Sequence, residues 1–263
     1  MRRGIGFLSA AALAAFPGVA SASDVMISVT NNQPTGGFTF SPVWFAFHDG
    51  SFDAFDAGSA AAMGIENVAE LANAAALGME FAASGASGVA GLIASGDALP
   101  PFTPGESASM MFDAGDGATN RYFSYASMLV PSNDFFFGND APMGVEIFDA
   151  AGNFLGPRTI QVFSDGIWDA GTEVNDALNG PAFIVGQDAT AGADENGVVH
   201  LMYSSAGIDA YLASLVGVQT PIGPLTDPLV RGELIATITI VPEPASAFGL
   251  LMAGAALRGL RRR

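Results

Sequence analysis

The chain has 263 residues, no cysteine and no lysine, and its 26 acidic residues outnumber nine arginines. The resulting net charge of −17 repels phosphate backbones and anionic lipid headgroups, so nucleic-acid binding is excluded as the expected function. The lack of cysteine gives no basis for thiolate-zinc or redox chemistry, and a chain of this length can form a core without disulfides.

Most of the basic residues lie near the two ends of the chain. Between Ser23 and Val241 only three arginines face 25 acids, a net charge of −22. Such a segment attracts divalent cations. An acidic secreted protein that only remains soluble through self-repulsion would have the same charge, so the function depends on where particular acids lie.

The first 22 residues have the pattern of a secretory signal peptide. Arg2 and Arg3 precede an apolar stretch over residues 5–19, and an Ala-Ser-Ala cleavage site follows at residues 20–22. The apolar stretch is short for a membrane-spanning helix, which makes an N-terminal anchor the weaker alternative. We therefore predict export.

The mature chain continues with short segments typical of β-strands. They are rich in β-branched and aromatic residues and are separated by turn residues such as Gly, Asn, Asp and Pro. The predicted strands cover residues 25–30, 42–48, 107–113, 121–130, 144–149, 154–162, 198–203 and 232–241.

One segment among these strands has a helical pattern. Residues 59–76 are rich in alanine, carry apolar side chains at helical spacing and begin with Ser59 as the predicted N-cap. Residues 84–107 are rich in Gly, Ser, Ala and Pro, which predicts a long surface connection.

The order of these elements predicts an all-β fold. Many short strands with a single helical insertion favour an antiparallel β-sandwich, formed by one domain over residues 23–240. Residues 206–231 contain Leu and Ile together with a Pro-Ile-Gly-Pro run. They are expected either to pack on the sandwich or to form a stalk.

The C-terminal segment 241–263 has three parts in a fixed order. A Val-Pro-Glu-Pro motif at residues 241–244 precedes the apolar run 247–257, and Arg261, Arg262 and Arg263 end the chain. This order resembles the PEP-CTERM sorting signal of Gram-negative bacteria. The resemblance implies a hydrophobic helix that anchors the protein transiently in the inner membrane, recognition by an exosortase, and delivery to the cell surface or extracellular matrix. A simple tail anchor is the alternative reading.

Three acids are the candidate metal ligands. Asp169 and Glu173 flank Gly171 in a predicted loop, where both carboxylates can turn towards one point, and Asp134 lies in a second turn beside aromatic residues. Calcium takes six to eight oxygen ligands in tolerant geometry and accepts a bidentate Glu. These residues therefore predict one calcium site, although loop acids also commonly cap their own turns.

The same residues carry a family resemblance. The run Pro-Ser-Asn-Asp-Phe at residues 131–135 with Gly138, and the run Trp-Asp-Ala-Gly-Thr-Glu at residues 168–173, resemble the two hallmark motifs of the spondin domain, the N-terminal module of F-spondin and mindin. The resemblance covers about residues 24–205 and implies a C2-like β-sandwich. It also implies calcium coordination by Asp134, Asp169 and Glu173. Asn133 stands where the family has proline, and Glu173 stands where it has aspartate.

These observations lead to a non-enzymatic, calcium-binding protein of the cell surface or matrix, with a structural or adhesive role towards an extracellular polysaccharide or a surface protein. The alternative is a secreted hydrolase of extracellular polysaccharide, and a third reading is a binding module without metal dependence. The two histidines, His48 and His200, lack a zinc motif, and no Gly-X-Ser-X-Gly sequence accompanies the serines. The aromatic residues 135–137 and Trp168 are predicted to pack rather than to form a sugar platform.

Overall fold

The computed structural model of the chain describes residues 23–98 and 100–243. Its strands are β1 Asp24–Asn31, β2 Thr39–Phe40, β3 Val43–His48, β4 Gly88–Ile93, β5 Ser107–Asp113, β6 Tyr122–Val130, β7 Phe135–Gly138, β8 Arg158–Phe163, β9 Trp168–Asp169, β10 His200–Leu201, β11 Gln219–Thr220, β12 Gly223–Pro224 and β13 Leu234–Pro242. The α-helices are α1 Met63–Leu71, α2 Ala75–Ala83 and α3 Ile208–Leu215.

Two antiparallel sheets face each other in these residues. One has the strand order β5-β1-β13-β8, and the other has the order β10-β9-β7-β6-β3-β4 with β2 paired to β6. The strands β11 and β12 form a separate hairpin. The prediction of an all-β antiparallel sandwich is confirmed.

The main core lies between the two sheets. Ile27 of β1 and Ile238 of β13 meet Phe45 and Phe47 of β3 and Phe123 of β6, and all five side chains are inaccessible to solvent. Strands β1 and β13 pair over their whole length, with Val29 opposite Ile238. The alternating apolar residues of the two strands thus point to one side, as period-two sequences require.

A second core explains why β3 has no polar face. Trp44 and Ala46 point away from the first core and pack under the helices, against Ile65 of α1 and Leu77 of α2. Strands that are buried on both faces have continuous apolar sequences. The run Val-Trp-Phe-Ala-Phe at residues 43–47 is therefore a central strand covered on one side by a sheet and on the other by helices.

The predicted single helix over residues 59–76 is wrong. The chain forms α1 and α2, separated at Ala72, which has the left-handed φ of 56°. The residue before α1 is Ala62, and no side chain caps the helix there. Two short helices can fold onto each other and both contact the sheet, whereas one straight helix of that length would leave its second half without a partner.

Residues 84–107 are also more regular than predicted, because β4 lies within them and pairs with β3 along six residues. Glycine hides this strand from sequence patterns. A Cβ atom at Gly91 would lie 2.6 Å from the ring of Phe45 and 2.8 Å from that of Phe112. The position needs glycine because the aromatic rings of the core cross the backbone there.

Two other segments differ from or complete the predictions. Residues 144–149, predicted as a strand, form only isolated bridges, Tyr122 with Glu146 and Phe148 with Phe154.

Residues 206–231 pack on the domain: α3 buries Leu212 and Leu215, and Leu225 and Leu229 join them in the main core. The stalk reading does not apply.

The predicted signal peptide and the apolar and basic parts of the sorting signal lie outside the described residues. Within residues 23–98 and 100–243, no helix has the length and apolar character needed to cross a bilayer.

Candidate metal centre

Pairing of two strands brings the two motifs together. Asp134 immediately precedes β7, and Asp169 ends β9, which pairs antiparallel with β7 so that Phe135 stands opposite Asp169. The Ala170 amide donates a hydrogen bond of 3.1 Å to the main-chain oxygen of Asp134. The acids that are 35 positions apart in sequence thus become neighbours at one edge of the larger sheet.

Asp134 is buried, and its two carboxylate oxygens differ. Oδ2 accepts hydrogen bonds from the Thr172 amide (2.8 Å), the Thr172 hydroxyl (3.2 Å) and the Glu173 amide (3.1 Å). Oδ1 has no partner among the described residues. Burial and the nearby Asp169 carboxylate raise the pKa of Asp134 well above its ordinary value. A buried oxygen without a partner requires either a proton or a cation.

Asp169 is equally buried, and both of its oxygens have donors. Oδ1 accepts from the Gly171 amide (2.9 Å), a turn-capping bond, and Oδ2 accepts from the Asn175 side chain (2.9 Å) and the Ser205 hydroxyl (2.7 Å). The imidazole of His200 lies 3.9 Å from Oδ2. The acid therefore combines the capping role with a place in a larger polar network.

The turn between the acids depends on Gly171. This residue has a φ of +67°, and a Cβ atom there would lie 2.6 Å from the main-chain oxygen of Val198. Both the left-handed conformation and the close backbone contact favour glycine. The tight turn directs the Thr172 and Glu173 amides towards Asp134.

The Glu173 side chain extends to a different side of the site. Its Oε2 accepts a 3.2 Å hydrogen bond from the Asn133 side chain, and a Cβ atom at Gly192 would lie 2.1 Å from the Glu173 carboxyl. The pKa of Glu173 is raised to about 7, chiefly by burial; the Asn133 hydrogen bond opposes this shift, and the carboxylates of Glu70 and Asp194 add to it. The carboxyl group thus lies against a wall lined by Gly180 and Gly192.

Across the described part of the chain, no three or more His, Cys, Asp or Glu side chains form a ready-made metal-binding group. The directions of the carboxylates account for this result. Asp134 and Asp169 form an inner pair, whereas Glu173 is bonded to Asn133. Glu173 is joined to Asp134 through its amide, and sharing a cation would require its carboxyl group to leave the Asn133 side chain.

Several polar neighbours of the site were not predicted from the sequence. Tyr211 of α3 donates a 2.7 Å hydrogen bond to the side-chain oxygen of Asn133 and accepts a 3.0 Å bond from its amide. Asn133 also donates to the main-chain oxygen of Asn179 at 3.0 Å. The only sequence signal was that Asn133 stands where the spondin motif that this segment resembles has proline. A proline at position 133 could not form this hydrogen-bond network, because it has neither an amide N–H nor a side-chain amide.

The aromatic residues of the motifs have packing roles. Phe135, Phe136 and Phe137 are inaccessible to solvent. Trp168 contacts Phe55 edge-on, and its indole N–H donates a 3.1 Å hydrogen bond to the main-chain oxygen of Gly138. Because Asp134 and Asp169 are also withdrawn from solvent, neither acid lines an open cleft of the kind a polysaccharide hydrolase requires.

Comparison with known proteins gives one family match. The family model described as Spondin_N matches residues 29–194, which is more than half of the chain and includes both motifs. A search of curated proteins gives no match.

Proposed function

We propose, because the chain belongs to the spondin N-terminal family, that it is an exported, calcium-stabilised domain with a structural or adhesive role at the surface or in the extracellular matrix of a Gram-negative bacterium. Spondin N-terminal domains are non-catalytic modules that are typically extracellular. The proposal adds the ion, the compartment and the role to that assignment.

Calcium binding is proposed mainly because Oδ1 of Asp134 has no hydrogen-bond partner in the described residues. It lies in a buried site next to a second carboxylate, where like charges disfavour two ionised acids. A hard divalent cation would stabilise both charges and would accept carboxylate oxygens as ligands. Asp134 and Asp169 would hold the ion, and Glu173 would complete the set of acidic ligands.

A bound ion would have a mechanical consequence for the fold. Thr172 and Glu173 are already bonded through their amides to Asp134. An ion between Asp134 and Asp169 would tie the same turn to β7 through a second connection. At a hundredfold excess of calcium over its dissociation constant, binding would stabilise the folded state by about 2.7 kcal/mol.

The test compares thermal unfolding with calcium and with a chelator. For the unmodified chain we expect a Tm that is several degrees higher with calcium, since about 2.7 kcal/mol corresponds to such a shift at this size. Asp134→Asn removes the unpartnered oxygen's charge with little change in shape, and Asp169→Ala removes the second ligand. Both variants are expected to lose the calcium-dependent shift.

Asp97→Asn is the matched control. Asp97 is an exposed acid, so its substitution removes the same charge without touching the site, and the calcium shift should persist. An identical Tm of the unmodified chain in calcium and in chelator would show that the site does not bind calcium under these conditions.

The delivery part of the proposal rests on the two terminal segments. A signal peptide at residues 1–22 would direct export, and an exosortase would recognise residues 241–263 while the apolar run still anchors the chain in the inner membrane. The partner at the surface would be a polysaccharide or another surface protein. Intact-mass measurement of the protein recovered from the cell surface is expected to show a chain without the first 22 residues and without the terminal apolar run; recovery of the uncleaved tail would contradict exosortase processing.

A further inference from the structure

A pocket of about 770 Å³ lies on the opposite face of the larger sheet from the main core, between the helix pair and strands β3 and β4. Ala74, Ala75 and Gly78 form its helical wall, and Ala90 and Leu92 belong to the strand wall. This volume is typical of small-molecule sites, which are mostly apolar and carry a few placed polar groups. The pocket is separate from the acidic centre and its lining contains no charged residue.

Trp44 supplies the placed polar group. The side chain is 3 % exposed and lines the pocket, and its Nε1 is the atom that a Cβ added at Gly78 would meet, at 3.8 Å. No acceptor in residues 23–98 or 100–243 takes a hydrogen bond from this N–H, whereas the Trp168 indole donates to Gly138. The atom is not among the fully buried polar atoms that lack a partner in the described residues, so it is accessible from the pocket, and an indole N–H can only donate. The Trp44 N–H is thus free to bind an acceptor that enters the pocket.

Gly78 leaves space in the helical wall of the pocket, although glycine makes a helix less stable. A glycine inside a helix costs about 1 kcal/mol relative to alanine. At Gly78 no close contact demands glycine, because an added Cβ would meet only Trp44 Nε1 at an ordinary van der Waals distance. The missing side chain leaves space that a larger residue would fill.

Backbone strain is concentrated at the rim of the pocket. Ala72 (φ 56°) and Phe183 (φ 69°) both line it, and in the described residues only Asn196 is another non-glycine residue with a positive φ. Such conformations are unfavourable for residues other than glycine and are frequently found at ligand sites.

We propose that this pocket binds a neutral, lipophilic small molecule that places one hydrogen-bond acceptor, such as a carbonyl oxygen, on the Trp44 indole N–H. The apolar walls favour the lipophilic part of the ligand. A charged ligand is disfavoured because no residue of opposite charge lines the pocket, and the excess of acids in the chain repels anions in particular. The proposal is independent of calcium binding.

The test uses two neutral fluorescent probes with the full chain. Nile red carries a carbonyl acceptor, and diphenylhexatriene is a hydrocarbon without one. Nile red is expected to bind saturably, with one specific site per chain. Gly78→Leu fills the pocket and should weaken this binding at least tenfold while the Tm stays the same or rises. Ala82→Leu adds the same side chain on the solvent-exposed side of the same helix and should leave the affinity unchanged.

Trp44→Phe tests the hydrogen bond separately from the pocket. The substitution keeps an aromatic ring and removes the N–H, so Nile red should bind about fivefold more weakly, the effect of one ordinary hydrogen bond. Diphenylhexatriene should bind as before. Equal Nile red binding by Gly78→Leu and Ala82→Leu would overturn the pocket assignment, because the dye would then bind elsewhere, for instance at the apolar terminal segments. Equal losses of both probes in Trp44→Phe would overturn the role of the indole N–H.

Discussion

At the scale of single residues, the raised pKa of Glu173 makes the stability of the fold depend on pH. Its pKa is about 7 in the folded protein, against an ordinary value of 4.5. Between these values the folded state binds more protons than the unfolded state, so the free energy of unfolding falls as the pH rises. The contribution of this group is complete below about pH 4.5 and is lost by about pH 7. Asp134 acts in the same direction, because its pKa is also raised.

This linkage predicts the pH dependence of the calcium-free protein. Its Tm should decrease as the pH rises from about 4.5 to about 7, and Glu173→Gln should reduce that decrease because glutamine does not titrate. Calcium should also reduce it, since the ion stabilises the ionised form that high pH produces. Glu66→Gln, which changes an exposed glutamate, is the control and should follow the unmodified chain. A Tm that rises with pH through this range in the calcium-free protein would contradict the assignment.

At the scale of secondary-structure elements, the break between α1 and α2 is the feature that sequence patterns missed. Ala72 adopts a left-handed conformation, its amide donates to the main-chain oxygen of Val68, and the Asn73 amide donates to that of Asn67. Asn73 also accepts a hydrogen bond from the Ala75 amide. The turn is built from these local bonds, but alanine is a poor residue for its central conformation. The helical spacing of apolar residues predicted one helix across this turn, because alanine normally favours helices.

Because Ala72 has a left-handed conformation at this break, we expect Ala72→Gly to stabilise the protein. Glycine relieves the strain of the left-handed conformation, and the free energy gained is larger than the cost of the extra backbone entropy that glycine loses on folding. The net stabilisation of about 0.5–1 kcal/mol should raise the Tm by about 2 °C. Ala82→Gly, in the last turn of α2, should have the opposite sign and cost up to about 1 kcal/mol. Thermal unfolding monitored by circular dichroism distinguishes the two; a lower Tm for Ala72→Gly would show that the left-handed alanine is not strained.

At the scale of the whole molecule, the acidic surface opposes the compact state. The 25 acids between Ser23 and Val241 repel one another with only three arginines to compensate. Raising the sodium chloride concentration from about 0.01 M to about 0.15 M shortens the screening length from about 30 Å to about 8 Å. The Tm of the calcium-free protein should therefore increase with salt, equally in sodium and potassium chloride. A Tm that falls with salt would mean that attractive ion pairs outweigh the repulsion.

The sequence by itself determined the features that depend on neighbouring residues. Short runs of strand-forming residues between turn residues placed β1, β5 and β13 to within two residues, because strand and turn propensities are local. The apolar, aromatic run at residues 42–48 located β3, and the segment 121–130 between turn residues located β6. The two motifs made Asp134, Asp169 and Glu173 the candidate ligands, which remains a prediction, and the spondin resemblance agrees with the family match.

Only the tertiary structure decided the features that depend on distant residues. Strand β4 forms by pairing with β3, and its glycine at position 91 is required by the Phe45 and Phe112 rings. Helix α3 packs on the domain where Tyr211 meets Asn133, 78 positions away. The orientation of Glu173 follows from the Asn133 amide and the wall formed by Gly192. The sequence placed three acids close together, but which of them share a cation depends on the direction of each carboxylate, and that direction is set by hydrogen bonds and packing from elsewhere in the fold.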